Sequence, residues 1–140
     1  MDNLYRELGV RDVLLVGNDL WIKESLSVFF RIQGCRLVSA AGAKEAAKLL
    51  SGDRFDLILC DQMLPNGDGL TFLILCGNHQ PEAVRVLIAS SPSRHVFEEA
   101  AKHGIHDVVP KPFSIEAMEK SLKQFHMNAQ GRERREVPVE

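Results

Sequence analysis

Short apolar runs alternate with amphipathic stretches along nearly the whole chain. Val13-Leu14-Leu15-Val16 is a continuous apolar run of the kind expected of a strand covered on both faces. Ile22, Leu26, Phe29 and Phe30 then recur at helical spacing, and Gly34 supplies a stop. Arg36 to Ala40 predicts a more polar strand near a sheet edge. Ala43, Ala46, Ala47 and Leu50 predict a small-residue helix face ending at Gly52. Leu57-Ile58-Leu59-Cys60 is a second buried strand, followed by the turn-rich segment Pro65 to Gly69. The run Leu70 to Cys76 reads as a helix, because Asp68 can cap it and no hairpin partner follows. Val84 to Ala89 predicts a third core strand. Val96, Phe97, Ala100 and Ala101 predict a helix stopping at Gly104, and Val108-Val109 a last strand cut short by Pro110. Ile115, Met118, Leu122 and Phe125 mark the final helix, with Ser114 as its cap. Such alternation of strand and helix implies an α/β domain, a parallel sheet with helices on both faces.

The length, 140 residues, suits one domain with a single core. Residues 11–127 carry the pattern, residues 1–10 form a lead-in, and residues 128–140 lack periodicity and are expected to be a disordered tail. The net charge of −2 argues against a chain that lives on phosphate-backbone attraction, so no direct nucleic-acid partner is expected. No apolar run reaches the roughly 18 residues of a membrane span, and the start has no secretory pattern. Cys35, Cys60 and Cys76 lack metal-type spacing and read as reduced thiols of a cytoplasmic protein. The five histidines are scattered, and a metal site among them is not expected.

In an open parallel sheet, ligands sit beyond the carboxyl ends of the strands. Gly17, Asn18 and Asp19 follow the first strand there, Asp61 ends the third, Ser90 and Ser91 follow the fourth, and Lys111-Pro112 follows the fifth. A carboxylate able to accept a phosphoryl group, with a hydroxyl and an ammonium on the same rim, is a chemically coherent set. Asp19 reads equally as a helix cap, and Cys60, on the opposite strand face from Asp61, reads as core. An aspartyl-phosphate phosphohydrolase would want a second acid two residues after its nucleophile, where Met63 stands, so that enzyme class fits worse.

The segments VLLVGND, DLILCDQMLPNGDG, VLIASS and VPKPF together resemble the receiver domain of two-component response regulators over roughly residues 11–127. The resemblance implies a doubly wound, flavodoxin-like sheet of five strands in the order 2-1-3-4-5. It implies that Asp61 accepts a phosphoryl group from a sensor histidine kinase or phosphotransfer protein. Ser90 and Lys111 then bind the phosphoryl oxygens. The Lys111-Pro112 bond is expected to be cis, and Met63 and Pro92 match positions that tune loss of the phosphoryl group. The signal passes by a shift of the face made by the fourth expected helix, the last strand and the last helix. A downstream protein target, a homodimer through that face and a cytoplasmic location without membrane contact complete the picture. The resemblance also implies that any catalysis is confined to the domain's own phosphorylation and dephosphorylation, so the chain is not expected to be an enzyme.

Two departures bear on this. Members of the family hold Mg²⁺ with two adjacent acids after the first strand, the acceptor and a backbone carbonyl. Counting back from Gly34 puts those acids at Gly17 and Asn18. The remaining candidate metal contacts are Asp61, Asp19, the Asn18 carbonyl and Met63. The loss of charged partners, each worth about 1.5–3 kcal/mol, should weaken Mg²⁺ binding. The family's inward-rotating aromatic switch residue is Val108 here, too small and too stiff to act as that lever. Two readings therefore stay open: a phosphorylation-controlled receiver, and a degenerate receiver that docks its partner without phosphorylation.

Overall fold

The computed structural model describes residues 3–135. Five strands form one parallel sheet: β1 (Asp12–Val16), β2 (Arg36–Ala40), β3 (Leu57–Asp61), β6 (Val84–Ala89) and β7 (Asp107–Pro110). Their order is β2-β1-β3-β6-β7. For the five main strands this is the expected 2-1-3-4-5 order, because the intervening β4 (Met63–Leu64) and β5 (Gly67–Asp68) pair only with each other as a small antiparallel hairpin. That hairpin occupies the segment read from sequence as a turn. The more polar β2 lies at one edge, as its composition predicts.

The continuous apolar runs have a simple origin: both faces of the sheet are covered. Side chains alternate along each strand. Val13, Leu15, Leu57, Leu59, Val86, Ile88 and Val109 pack with α2 (Leu20–Ile32) and α6 (Ile115–Arg135) through Ile22, Leu26, Phe30, Met118 and Leu122. Leu14, Val16, Ile58, Cys60, Leu87, Ala89 and Val108 pack on the other face. Their partners there are α3 (Ala43–Gly52), α4 (Gly69–His79) and α5 (Arg94–Lys102), through Ala46, Leu73, Cys76, Val96 and Ala100. Side-chain caps at Asp19, Asp68 and Ser93 start α2, α4 and α5, and the Ser114 hydroxyl accepts from Ala117 N at 3.0 Å at the start of α6.

Both ends of the chain depart from the sequence-based boundaries. The lead-in contains a helix, α1 (Leu4–Leu8), capped by Asn3. Its Tyr5 is buried edge-on against Phe29 and Phe30, with ring centroids 5.7 and 5.2 Å away. The Tyr5 hydroxyl donates to Glu119 Oε2 of α6 at 3.1 Å. The domain core thus begins before residue 11. At the other end α6 continues to Arg135, so positions 128–135 of the expected disordered tail are helical, and positions 136–140 lie outside the described residues.

Candidate functional site

The alternation that builds the core also aims the site. Asp61 is the last residue of β3 and points to the same face as Leu57 and Leu59, toward α2. Val16 pairs with Cys60, so the next residue, Gly17, lies beside Asp61. Lys111 follows β7 with the face of Val109. Its backbone N donates to Ala89 O at 2.9 Å, which brings Ser90 and Lys111 out of the sheet side by side.

The Lys111 ammonium donates to Asp61 Oδ2 at 2.8 Å, joining residues fifty positions apart. Asp61 is 7% exposed, whereas Lys111 is partly open to solvent. Met63 N lies 3.4 Å from Asp61 Oδ1, while the Met63 side chain is exposed. Asp19 does two things: Oδ1 accepts from Ile22 N at 3.1 Å as the cap of α2, and Oδ2 lies 3.7 Å from Lys111 Nζ. Asp61, Lys111 and Asp19 are therefore brought together. Ser90 is exposed at the rim, and Asn18 is exposed as well. Val108 is buried among the residues packed on α4 and α5, on the opposite sheet face from Asp61. Cys60 is buried there too, and burial pushes its thiol well above the ordinary range. That environment suits a core residue and not a nucleophile. The Lys111-Pro112 bond is cis.

Two glycines close the site; the sequence marked Gly17 only as the place of a missing acid and gave Gly69 no role beyond the turn. Gly17 has φ +150°, and a Cβ there would stand 3.0 Å from Asp61 Cβ. A Cβ on Gly69 would stand 2.0 Å from the Asp61 carbonyl oxygen, so the start of α4 sits directly on the Asp61 backbone. The available signal was a glycine immediately after a buried strand and a glycine immediately after a capping aspartate.

This donor set is poorer in charge than the acidic one a divalent cation prefers: its carboxylates are Asp19 and Asp61, and both face the Lys111 ammonium. Mg²⁺ seeks near-ideal octahedral oxygen coordination at about 2.0–2.1 Å. Among the described residues, no three His, Cys, Asp or Glu side chains are grouped to hold a metal.

Sequence comparison follows the same geometry. The pattern of the response regulator receiver domain matches residues 13–123. The chain is 27% identical over 113 residues to the hydrogenase transcriptional regulatory protein HoxA of Bradyrhizobium diazoefficiens, covering 80% of this chain and 23% of that protein. It is 31% identical over 103 residues to the transcriptional activator protein PfeR of Pseudomonas aeruginosa, covering 74% and 33%. The chain spans about a third or less of the length of these relatives. A solved response regulator protein from Burkholderia pseudomallei, with a phosphorylated aspartic acid, calcium ion and citrate, has the same fold. Its TM-score is 0.76 at 24% identity, covering 92% of this chain and 76% of that one. The chemotaxis response regulator CheY4 of Vibrio cholerae gives a TM-score of 0.73 at 23% identity, covering 82% and 98%. Among the described residues, no helix is long and apolar enough to cross a membrane. With the matched span holding both Asp61 and Lys111, the chain belongs to the response regulator receiver domain family.

Proposed function

We propose that this receiver accepts a phosphoryl group on Asp61 from a phosphohistidine of a sensor kinase or phosphotransfer protein. The observation that carries the proposal is the 2.8 Å pairing of Lys111 Nζ with Asp61 Oδ2 at the open rim of the sheet. A carboxylate oxygen attacks phosphorus in line, and the O–P bond forms as the P–N bond to the donor imidazole breaks. The electron pair stays on the imidazole nitrogen, which ends neutral after taking up a proton. Lys111 transfers its hydrogen bond from Oδ2 to a phosphoryl oxygen, and the Ser90 hydroxyl donates to another. The product is an acyl phosphate, and no substrate other than the donor is turned over.

Output then passes through the face of α5, β7 and α6 to a downstream protein, with self-association through that face as a further contact mode. The near-neutral balance, net −2, supports a protein target over direct nucleic-acid binding. Cys35, Cys60 and Cys76 form no disulfide among the described residues, in keeping with a cytoplasmic setting.

The test is intact mass after incubation with acetyl phosphate and with a histidine kinase mixture, beside Asp61→Ala. A gain of one phosphoryl group, absent from Asp61→Ala and from Lys111→Ala, is the expected result. An equal gain in Asp61→Ala would overturn the acceptor assignment. A second reading is favoured by one observation, the replacement of the acidic pair by a glycine packed against Asp61 and an exposed Asn18. In that reading the domain docks its partner unphosphorylated. Absence of any gain, with partner binding unchanged by Asp61→Ala, would select it.

A further inference from the structure

We infer that Lys111, and not a divalent cation, balances the charge of this pocket, so that the site binds no Mg²⁺ at millimolar concentration and takes a phosphoryl group without it. The inference rests on Asp61 being the acceptor. The carboxylate oxygens of the pocket already face partners within the chain. Asp61 Oδ2 is held by Lys111 at 2.8 Å, and Asp61 Oδ1 faces Met63 N at 3.4 Å. Asp19 Oδ1 caps α2, and its Oδ2 turns to Lys111 at 3.7 Å. Asn18 offers a neutral amide, exposed to solvent. Two carboxylates against one ammonium leave a single net negative charge, a weak attraction for a strongly hydrated dication.

Position 17 is closed as well as uncharged. A side chain there would begin 3.0 Å from Asp61 Cβ and 3.7 Å from Oδ2, on a backbone at φ +150° that L residues rarely adopt. A side chain at position 17 would require Asp61 to give way by a few tenths of an ångström. Beside Gly17, Asp19 and Asp61 lies a small recess, partly open to solvent, with about 10 Å³ of space, walled by Leu15, Val16, Ile22 and Ile88. That is about the space of a single water, with mostly apolar walls.

The same substitutions that remove the metal ligands remove a reason to need the metal. Carboxylates at positions 17 and 18 would repel an incoming phosphoryl dianion, and a divalent cation would have to offset that repulsion. Without them, Asp61 forms its O–P bond and acetyl phosphate loses its P–O bond, the electron pair leaving on acetate. The only charge that must then move is the Lys111 hydrogen bond, from Asp61 Oδ2 to the phosphoryl oxygen.

The test has two arms on the full chain. Mg²⁺ is titrated to millimolar concentration by calorimetry and by emission of Trp21, an exposed ring two residues from Asp19. Separately, intact mass is followed with acetyl phosphate in chelator and in millimolar Mg²⁺. The expected result is no saturable Mg²⁺ binding and the same mass gain in both buffers. Saturable binding, or a gain only with Mg²⁺, overturns the inference while leaving Asp61 as acceptor. A gain in neither buffer, and none with a histidine kinase mixture, removes the acceptor reading, and the calorimetry then decides the metal question alone. The double variant Asn18→Asp with Lys111→Met restores a carboxylate and removes the ammonium. It is expected to bring Mg²⁺ binding into the measurable millimolar range, and continued absence of binding would overturn the role given to Lys111.

Discussion

Two cations on opposite faces of one sheet, Lys111 and Arg85, show how the same charge is used for different ends. Arg85 lies in β6 and alternates toward α4 and α5, 6% exposed. Its Nη1 donates to Leu73 O at 2.7 Å, and its Nη2 donates to His103 O and Gly104 O, both at 3.1 Å. No carboxylate pairs with it among the described residues, its buried Nε has no acceptor, and burial draws its guanidinium below the ordinary value. The partners are backbone carbonyls that cannot leave, so the planar fork ties α4, β6 and the end of α5 into one geometry. Lys111 is a compact charge on a flexible stem, and its partners are two carboxylates at a solvent-facing rim. Such a pair can exchange one anion for another, and the Arg85 junction cannot. A cation held by neutral backbone is structural, and one held by an exchangeable carboxylate is available for chemistry.

The largest expected effect comes from breaking the buried member. Arg85→Ala leaves three carbonyls without their donor and opens a cavity between two helices, and should cost about 3–5 kcal/mol in urea denaturation. A loss below about 1 kcal/mol would end the contrast drawn here. Arg85→Lys keeps the charge but serves fewer carbonyls, and an intermediate loss of about 1–2 kcal/mol is expected.

His106 sharpens the comparison by a smaller step. Its Nδ1 accepts from Arg85 N at 2.9 Å, and its ring packs edge-on against Phe125, centroids 4.4 Å apart. Burial, and then the Arg85 charge, hold His106 below its ordinary value of 6.5. The folded state therefore binds this proton less readily than the unfolded chain. Its contribution is fully present above pH 6.5 and declines as pH falls below 6.5 through the folded-state value. The denaturation midpoint of the parent should fall with acidification over that window more than that of His106→Asn, which keeps an acceptor but cannot titrate. Parallel profiles would exclude His106 as the source. The smallest expected effect is on the rim: Lys111→Ala should change stability by no more than about 1 kcal/mol, the scale of a partly exposed ion pair. A larger loss would place Lys111 with Arg85 as a structural cation.

Leu57 to Cys60 and Val84 to Ala89 announce buried parallel strands because a strand covered on both faces must be apolar at every position. Asp61 and Lys111 were legible because each directly follows such a run and the ends of parallel strands share one rim. Arg85 was not, since the apolar run around it masks a single charge. A lone arginine within a doubly covered strand does raise the question of what satisfies it, but the answer requires Leu73, His103 and Gly104, which only the packed helices supply. Asn3 and Gly9 bracket α1 with recognisable cap residues, yet nothing local says that Tyr5 reaches Glu119 more than a hundred residues away.

Local order along the chain, then, determined the strand and helix succession, the positions of the rim residues and the absence of an acidic pair after β1. The tertiary structure decided that Gly17 is filled against by Asp61, that Asp19 divides itself between α2 and Lys111, and that the chain's ends join the fold further than their patterns suggest. The reason is physical. Periodicity and capping are set by neighbours within a few residues, whereas the partner of a charge or the closure of a space depends on register between strands distant in sequence.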